Sequence, residues 1–257
     1  MMRKEELGPI AEAKGISLRN AERDYLLDLC LHAISSLRDD LAFKGGTALY
    51  KFHNLNRFSE DLDFTQNAKR LDPERLIARM ARECALIGIN SHIGPVERYQ
   101  KELNASISFN GPLYDGSKQS MARVSINISL RERPVSMKPL FYTSPYREIP
   151  SFEMYVLAPE ELLAEKIRAV MTREKARDVY DVWFLLRKGT ALDMGLVERK
   201  LRICKVHFTR GAFEGSVLSK ASMWKKDLGP LIIGRLPDFK ATTEALLRLL
   251  DAAAEGK

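Results

Sequence analysis

The hydrophobic period of this chain changes near residue 157, and that change limits the folds open to it. Upstream, apolar and polar residues alternate: Leu62 and Phe64, then Ala105, Ile107 and Phe109, then Val124, Ile126, Ile128 and Leu130. A repeat of two is that of a strand with one buried face. Downstream, Leu162, Leu163, Ile167 and Val170 recur at helical spacing. The pattern predicts an α+β protein, with a mixed-sheet domain over residues 1–157 and a helical domain over residues 158–257. A chain of 257 residues is long enough for a sizeable core in such an arrangement.

Individual elements follow from local signals. Residues 17–40 read as a helix with Leu26, Leu29, Ala33 and Leu37 on one stripe. Leu41-Ala42-Phe43 is a strand end entering the Gly45-Gly46 turn, and Thr47 to Phe52 a short helix. Residues 54–59 read as a loop. Asp72 caps a helix with Pro73 at its first position, running to Gly88. The runs at 105–109 and 124–130 form a hairpin with a long loop, and a further strand falls near residues 152–156. Ala158-Pro159-Glu160-Glu161 starts a helix, residues 175–186 form another that Gly189 ends, and residues 192–206 and 242–250 are helical.

Composition excludes several classes. Apolar residues make up 45% and charged residues 29%, as in globular proteins. No window approaches the roughly 18 apolar residues of a membrane helix. The basic start has no apolar run behind it, so neither a signal peptide nor membrane association is expected. Three widely spaced cysteines support neither a disulfide framework nor structural zinc and suit a reducing, cytoplasmic setting. The four histidines show no ligand spacing. Forty-one Lys and Arg against 34 Asp and Glu leave a charge of +7, which favours anionic partners such as nucleotides or nucleic acid.

The densest chemistry lies in residues 43–64, FKGGTALYKFHNLNRFSEDLDF. Asp61 and Asp63 are two apart on a predicted strand, so both carboxylates share one face. Such a pair repels itself unless a cation intervenes, and a hard divalent ion such as Mg²⁺ suits an all-oxygen set. Gly45 and Gly46 allow a phosphate to approach their backbone N–H groups at a helix start. Phosphate donors beside a metal-binding pair are the minimum of a phosphoryl-transfer site. Taken singly, each feature is ordinary: Asp-X-Asp occurs on solvated strands and Gly-Gly in turns.

The run Lys44-Gly45-Gly46-Thr47-Ala48-Leu49, followed by Arg57-Phe58-Ser59-Glu60-Asp61-Leu62-Asp63-Phe64, resembles the AbiEii-like nucleotidyltransferases. These belong to the DNA polymerase beta-like superfamily and include toxins of toxin–antitoxin pairs. A second block strengthens the resemblance: Ala164-Glu165-Lys166, Arg173, and Arg177-Asp178-Val179-Tyr180-Asp181. Together the blocks span about residues 40 to 188. The resemblance implies a polymerase beta-like domain with a mixed sheet, followed by a helical domain. It implies Asp61 and Asp63 at Mg²⁺ or Mn²⁺, with Gly45, Gly46 and Thr47 at the triphosphate of an NTP. Arg57 and Ser59 would shape the loop or touch phosphate. Lys166 and Asp178 would be active-site residues, with Asp181 in support, while Arg173 could clamp phosphate or simply be solvated. It also implies transfer of an NMP to an acceptor, in some members the 3′ end of tRNA, and a cognate antitoxin as partner.

The residues themselves leave plainer roles open. Lys166 could be a boundary lysine with its stem on apolar surface. Arg177 and Asp181, four apart on one helix face, could simply pair. Tyr180, Trp183 and Phe184 read as core. Superfamily members that transfer nucleotides commonly carry a third carboxylate on a later strand, and here that position falls near Asn127, which cannot act as a base. Either the strand alignment is off, or another acid such as Glu132 or Asp178 serves, or the protein binds nucleotide with little or no transfer.

Overall fold

The computed structural model describes residues 1–67, 71–99 and 101–255. The chain forms two compact units: residues 1–54 with 58–156, and residues 157–255 with the short segment 55–57.

The first unit opens with α1 (Lys4–Lys14) and α2 (Leu18–Ile34). Ser17 caps α2 by accepting from the Asn20 N–H at 3.2 Å. The stripe read over residues 17–40 is helical only to Ile34. The Ser35 hydroxyl donates back to the His32 carbonyl at 2.8 Å, and the chain tightens into a 3-10 turn over Ser35–Asp40. Strand β1 (Leu41–Lys44) leads into α3 (Gly45–His53), and β2 (Asp61–Gln66) follows. Next come α4 (Pro73–Leu86), β3 (Ser91–Ile93), β4 (Glu97–Tyr99), β5 (Glu102–Phe109), β6 (Ala122–Ser129), β7 (Met137–Tyr142) and β8 (Phe152–Leu157). The strands form one mixed sheet in the order β3-β5-β6-β2-β1-β8-β7, with β4 also paired to β5. β2 runs antiparallel to β1 and parallel to β6, and β5 and β6 form the expected hairpin.

Alternation divides the two sheet faces. Phe43, Leu62, Phe64, Val124, Ile126, Ile128 and Ile107 are buried in a core that includes α2 and α4 residues Leu26, Cys30, Leu76 and Met80. Each such side chain contributes roughly 1.5–3 kcal/mol by leaving water. The intervening residues Asp61, Asp63, Ser125 and Asn127 are only half-buried, on the opposite face.

A buried charge cluster joins α3 to α2. Lys51 lies between Asp24 and Asp28, 2.5 Å from each. Tyr146 donates to Asp24 at 2.9 Å, while Ser144 and Tyr142 donate to Asp28 at 2.7 and 3.1 Å. The second residue of α3 is Gly46, so this cluster also holds the glycine turn in place.

The second unit is helical: α5 (Pro159–Thr172), α6 (Ala176–Arg187), α7 (Met194–Arg202), α8 (Arg210–Leu218), α9 (Trp224–Leu228) and α10 (Phe239–Ala254). Gly189, with φ of 77°, follows α6 as expected. Lys200 is buried between Glu161 and Glu165, at 2.5 and 3.2 Å, and ties α7 to α5. Tyr180 and Phe184 are core residues, whereas Trp183 is half-buried. Among the described residues, no helix is long and apolar enough to cross a membrane.

Candidate active site

The glycine turn and the carboxylate pair meet on adjacent strands. In the β1–β2 ladder Lys44 is opposite Asp63. Gly45 has φ of +76°, a conformation few residues adopt without strain. A Cβ at Gly45 would fall on the Asp63 carboxylate, overlapping Oδ2 and standing 3.0 Å from Cβ and Cγ. Only glycine lets this backbone pass so close to an acid. The first N–H groups of α3, from Gly45 to Thr47, have no intrahelical partner and carry the positive end of the helix dipole.

Thr47 fixes this geometry from inside. Its hydroxyl donates to the Asp61 carbonyl at 2.6 Å and lies 3.0 Å from the Ser59 hydroxyl. Both side chains are buried. Thr47 and Ser59 therefore staple α3 to the start of β2, and what Thr47 can offer a phosphate is its backbone N–H.

Asp61 and Asp63 project from the same face of β2 into a trough of about 370 Å³ that continues over β6 and β5. Register places Ser125 beside Asp61 and Asn127 beside Asp63. An amide thus stands next to Asp63. Asn127 Nδ2 donates to Asn104 Oδ1 at 2.5 Å. Among the described residues, no three His, Cys, Asp or Glu side chains are grouped to hold a metal. Two carboxylates still fit Mg²⁺, which is commonly bound through one or two carboxylates, water and substrate phosphates. The bare Gly45 backbone passes against the Asp63 carboxylate, and the donor set is all oxygen.

A separate cluster occupies the second unit. Arg57 Nε and Nη2 donate to the two Asp181 oxygens at 2.7 and 2.6 Å, with both residues fully buried. Lys166 lies 2.6 Å from Asp181 and 2.8 Å from Asp178. Burial pushes the Asp181 carboxyl up, but Arg57 and Lys166 outweigh it and hold the group below its ordinary value. Burial likewise lowers Lys166, and Asp178 and Asp181 more than restore it, leaving the ammonium held above its ordinary range. Asp181 thus pairs with Arg57, 124 positions away, rather than with Arg177 on its own helix. Tyr180 donates to Asn56 at 2.6 Å, so Asn56 and Arg57 are both held by α6 side chains within the second unit. Arg173 is exposed just beyond α5.

Sequence reasoning missed Lys51, Asp24, Asp28 and Asn104. Two acids four apart inside an apolar helix, Asp24 and Asp28, were a readable signal of a buried cation. Nothing local marks Asn104.

The mixed sheet, with a glycine turn against a paired-acid strand and a helical unit after it, defines a nucleotidyltransferase-type fold. The family model described as "Nucleotidyl transferase AbiEii toxin, Type IV TA system" matches residues 29–249. The chain belongs to that family of nucleotidyltransferase toxins. Two solved structures are similar. One is MenT4, nucleotidyltransferase toxin Rv2826c from Mycobacterium tuberculosis H37Rv, with 18% identity, a TM-score of 0.67, and coverage of 99% of this chain and 90% of that one. The other is JHP933 from Helicobacter pylori, with 21% identity, a TM-score of 0.62 and coverage of 94% of both chains. At these identities the likeness establishes the fold. No curated protein matches significantly.

Proposed function

We propose that this protein is a Mg²⁺- or Mn²⁺-dependent nucleotidyltransferase that moves an NMP from an NTP to an acceptor, the 3′ end of tRNA being the first candidate. The observation that carries the reading is Gly45 passing against the Asp63 carboxylate while Asp61 shares that face. Backbone N–H groups at Gly45, Gly46 and Thr47 bind the β- and γ-phosphates. Asp61 and Asp63 hold the divalent ion, which when bound neutralises charge at the α-phosphate. The acceptor oxygen bonds to the α-phosphorus as the bond from that phosphorus to the bridging oxygen breaks. Pyrophosphate leaves, and the acceptor proton passes to water.

Family resemblance assigns Lys166 and Asp178 catalytic roles, with Lys166 answering phosphate charge and Asp178 holding it. Asp181 and Arg57 support that lysine, and Arg173 adds an exposed cation. The same resemblance makes a cognate antitoxin the expected protein partner.

Incubation with each NTP, labelled at the α- or at the γ-phosphate, with Mg²⁺ and total RNA tests the reading. Label is expected in RNA with wild-type protein and not with Asp63→Asn. Label moving only from the γ position would contradict it. Asn127 beside Asp63 favours a second reading, a nucleotide- or protein-binding regulator with weak or no transfer. Under that reading Asp61→Ala keeps full biological effect.

A further inference from the structure

Trp183, read as core from the sequence, is half-buried and lines a groove between α6 and α10. The groove lies within the helical unit and has a volume of about 510 Å³. Its lining is Trp183 and Arg187 from α6, with Ala245, Arg248, Leu249 and Ala252 from α10. We infer that this groove docks an acidic amphipathic helix of a partner protein. Apolar side chains of that helix fill the floor, and its carboxylates pair with Arg187 and Arg248. No residue of the proposed transfer site takes part.

α10 carries more apolar surface than its own packing uses. Thr242, Thr243, Leu246 and Leu250 are buried and anchor the helix, which Asp238 caps by accepting from the Ala241 N–H at 2.9 Å. Ala245, Leu249 and Ala252 form a second stripe, at steps of four and three. Ala245 and Leu249 are half-buried, and Ala252 is exposed. Small side chains let another helix axis come close. A helix laid in such a groove presents anchors at the same helical spacing.

The rim sets the charge of the occupant. The Arg187 guanidinium stands over the Trp183 ring, 5.1 Å from its centroid. Arg187 and Arg248 are both exposed, and among the described residues neither has a carboxylate within ion-pair distance. Asp251, one turn after Arg248, pairs instead with Arg210 at 2.6 Å. Carboxylates from a partner can complete two-point pairs with both free guanidiniums. The net charge of +7 adds attraction at longer range. Stacked nucleic acid fits less well. The Trp183 ring already meets Arg187 and, at 5.3 Å, Tyr180, and the floor holds leucine and alanine in place of donors for phosphate.

The test screens the full chain against a displayed library of helical peptides. Apolar residues are fixed at positions i, i+4 and i+7, and the flanking positions vary among Glu, Lys, Ser and Ala. Wild-type protein is expected to enrich peptides with acidic flanks. The leading peptide, synthesised with a fluorescent label, should bind about tenfold or more weakly to the Arg187→Ala/Arg248→Ala double variant and to Ala252→Gln, which fills the groove. Added salt should weaken it too, and Arg248→Glu should shift the preference toward lysine flanks. All three substituted positions are exposed, so melting temperatures should stay near wild type. No enrichment, enrichment of neutral or basic flanks, or a leading peptide indifferent to these substitutions would overturn the inference. So would a single-stranded RNA oligonucleotide whose binding needs Arg187 and Arg248 when that of the peptide does not. Self-association in sedimentation that Ala252→Gln abolishes would give the groove to a second copy of the chain, and would overturn it as well.

Discussion

The backbone of Gly45 rests against the carboxylate of Asp63, in space that a single methyl group would fill. Gly45→Ala therefore adds two costs. Positive φ costs an L-residue about 1–2 kcal/mol, and the new Cβ displaces the Asp63 side chain. We expect Mg–NTP affinity to fall at least tenfold with only a modest loss of thermal stability, measured by calorimetry and a melting curve on the same sample.

Lys51 is held by Asp24 and Asp28 in a site almost without solvent. Burial alone would lower this lysine, but the two aspartates keep it well above its ordinary value. Lys51→Met leaves two buried acids facing each other, and breaking a buried pair costs about 3–5 kcal/mol. Urea denaturation should show a loss of that order. A triple variant that also carries Asp24→Asn and Asp28→Asn should recover much of it.

The Arg57–Asp181–Lys166 cluster sets a pH dependence. The folded value of Asp181 lies below its unfolded value. Its stabilising contribution is thus complete above the unfolded value, about 3.9, and is lost as pH falls through the lower folded one. Lys166 is raised when folded. Its contribution is complete below about 10.4 and is lost as pH rises through the higher folded value. Stability measured against pH should fall at both ends, and Asp181→Asn should flatten the acid limb.

Asn127 stands where a third acid would adjoin Asp63. Asn127→Asp places another carboxylate in that row and keeps the shape. Mg²⁺ affinity in the presence of NTP should rise several-fold, and the pH–rate profile should gain dependence on a new acidic group. An unchanged Mg²⁺ titration would show that Asn127 lies outside the metal's reach.

The sequence made some parts of this arrangement readable and hid others. The alternation around Leu62 and Phe64 announced which face of β2 carries the acids, because one core-facing strand leaves little choice. Glycines before a helix announced the turn. The short edge strands β3 and β4 and the short helices α8 and α9 carry too few residues for a period to emerge. By resemblance Arg57 is expected to shape the loop or touch phosphate. Its partner Asp181 lies 124 positions away, and no local pattern reveals a pairing over that distance. The hydrogen bond between Asn104 and Asn127 has the same origin, since it exists only once β5 and β6 pair in register.

The central claim is that Asp61, Asp63 and the Gly45 turn form one metal–nucleotide centre. Calorimetric titration of Mg–NTP into wild-type protein, Asp61→Asn and Asp63→Asn, each with and without EDTA, tests it most directly. The account predicts binding by wild type that EDTA removes, and binding at least tenfold weaker in each variant at an unchanged melting temperature. Equal, EDTA-insensitive binding by all three proteins would contradict it.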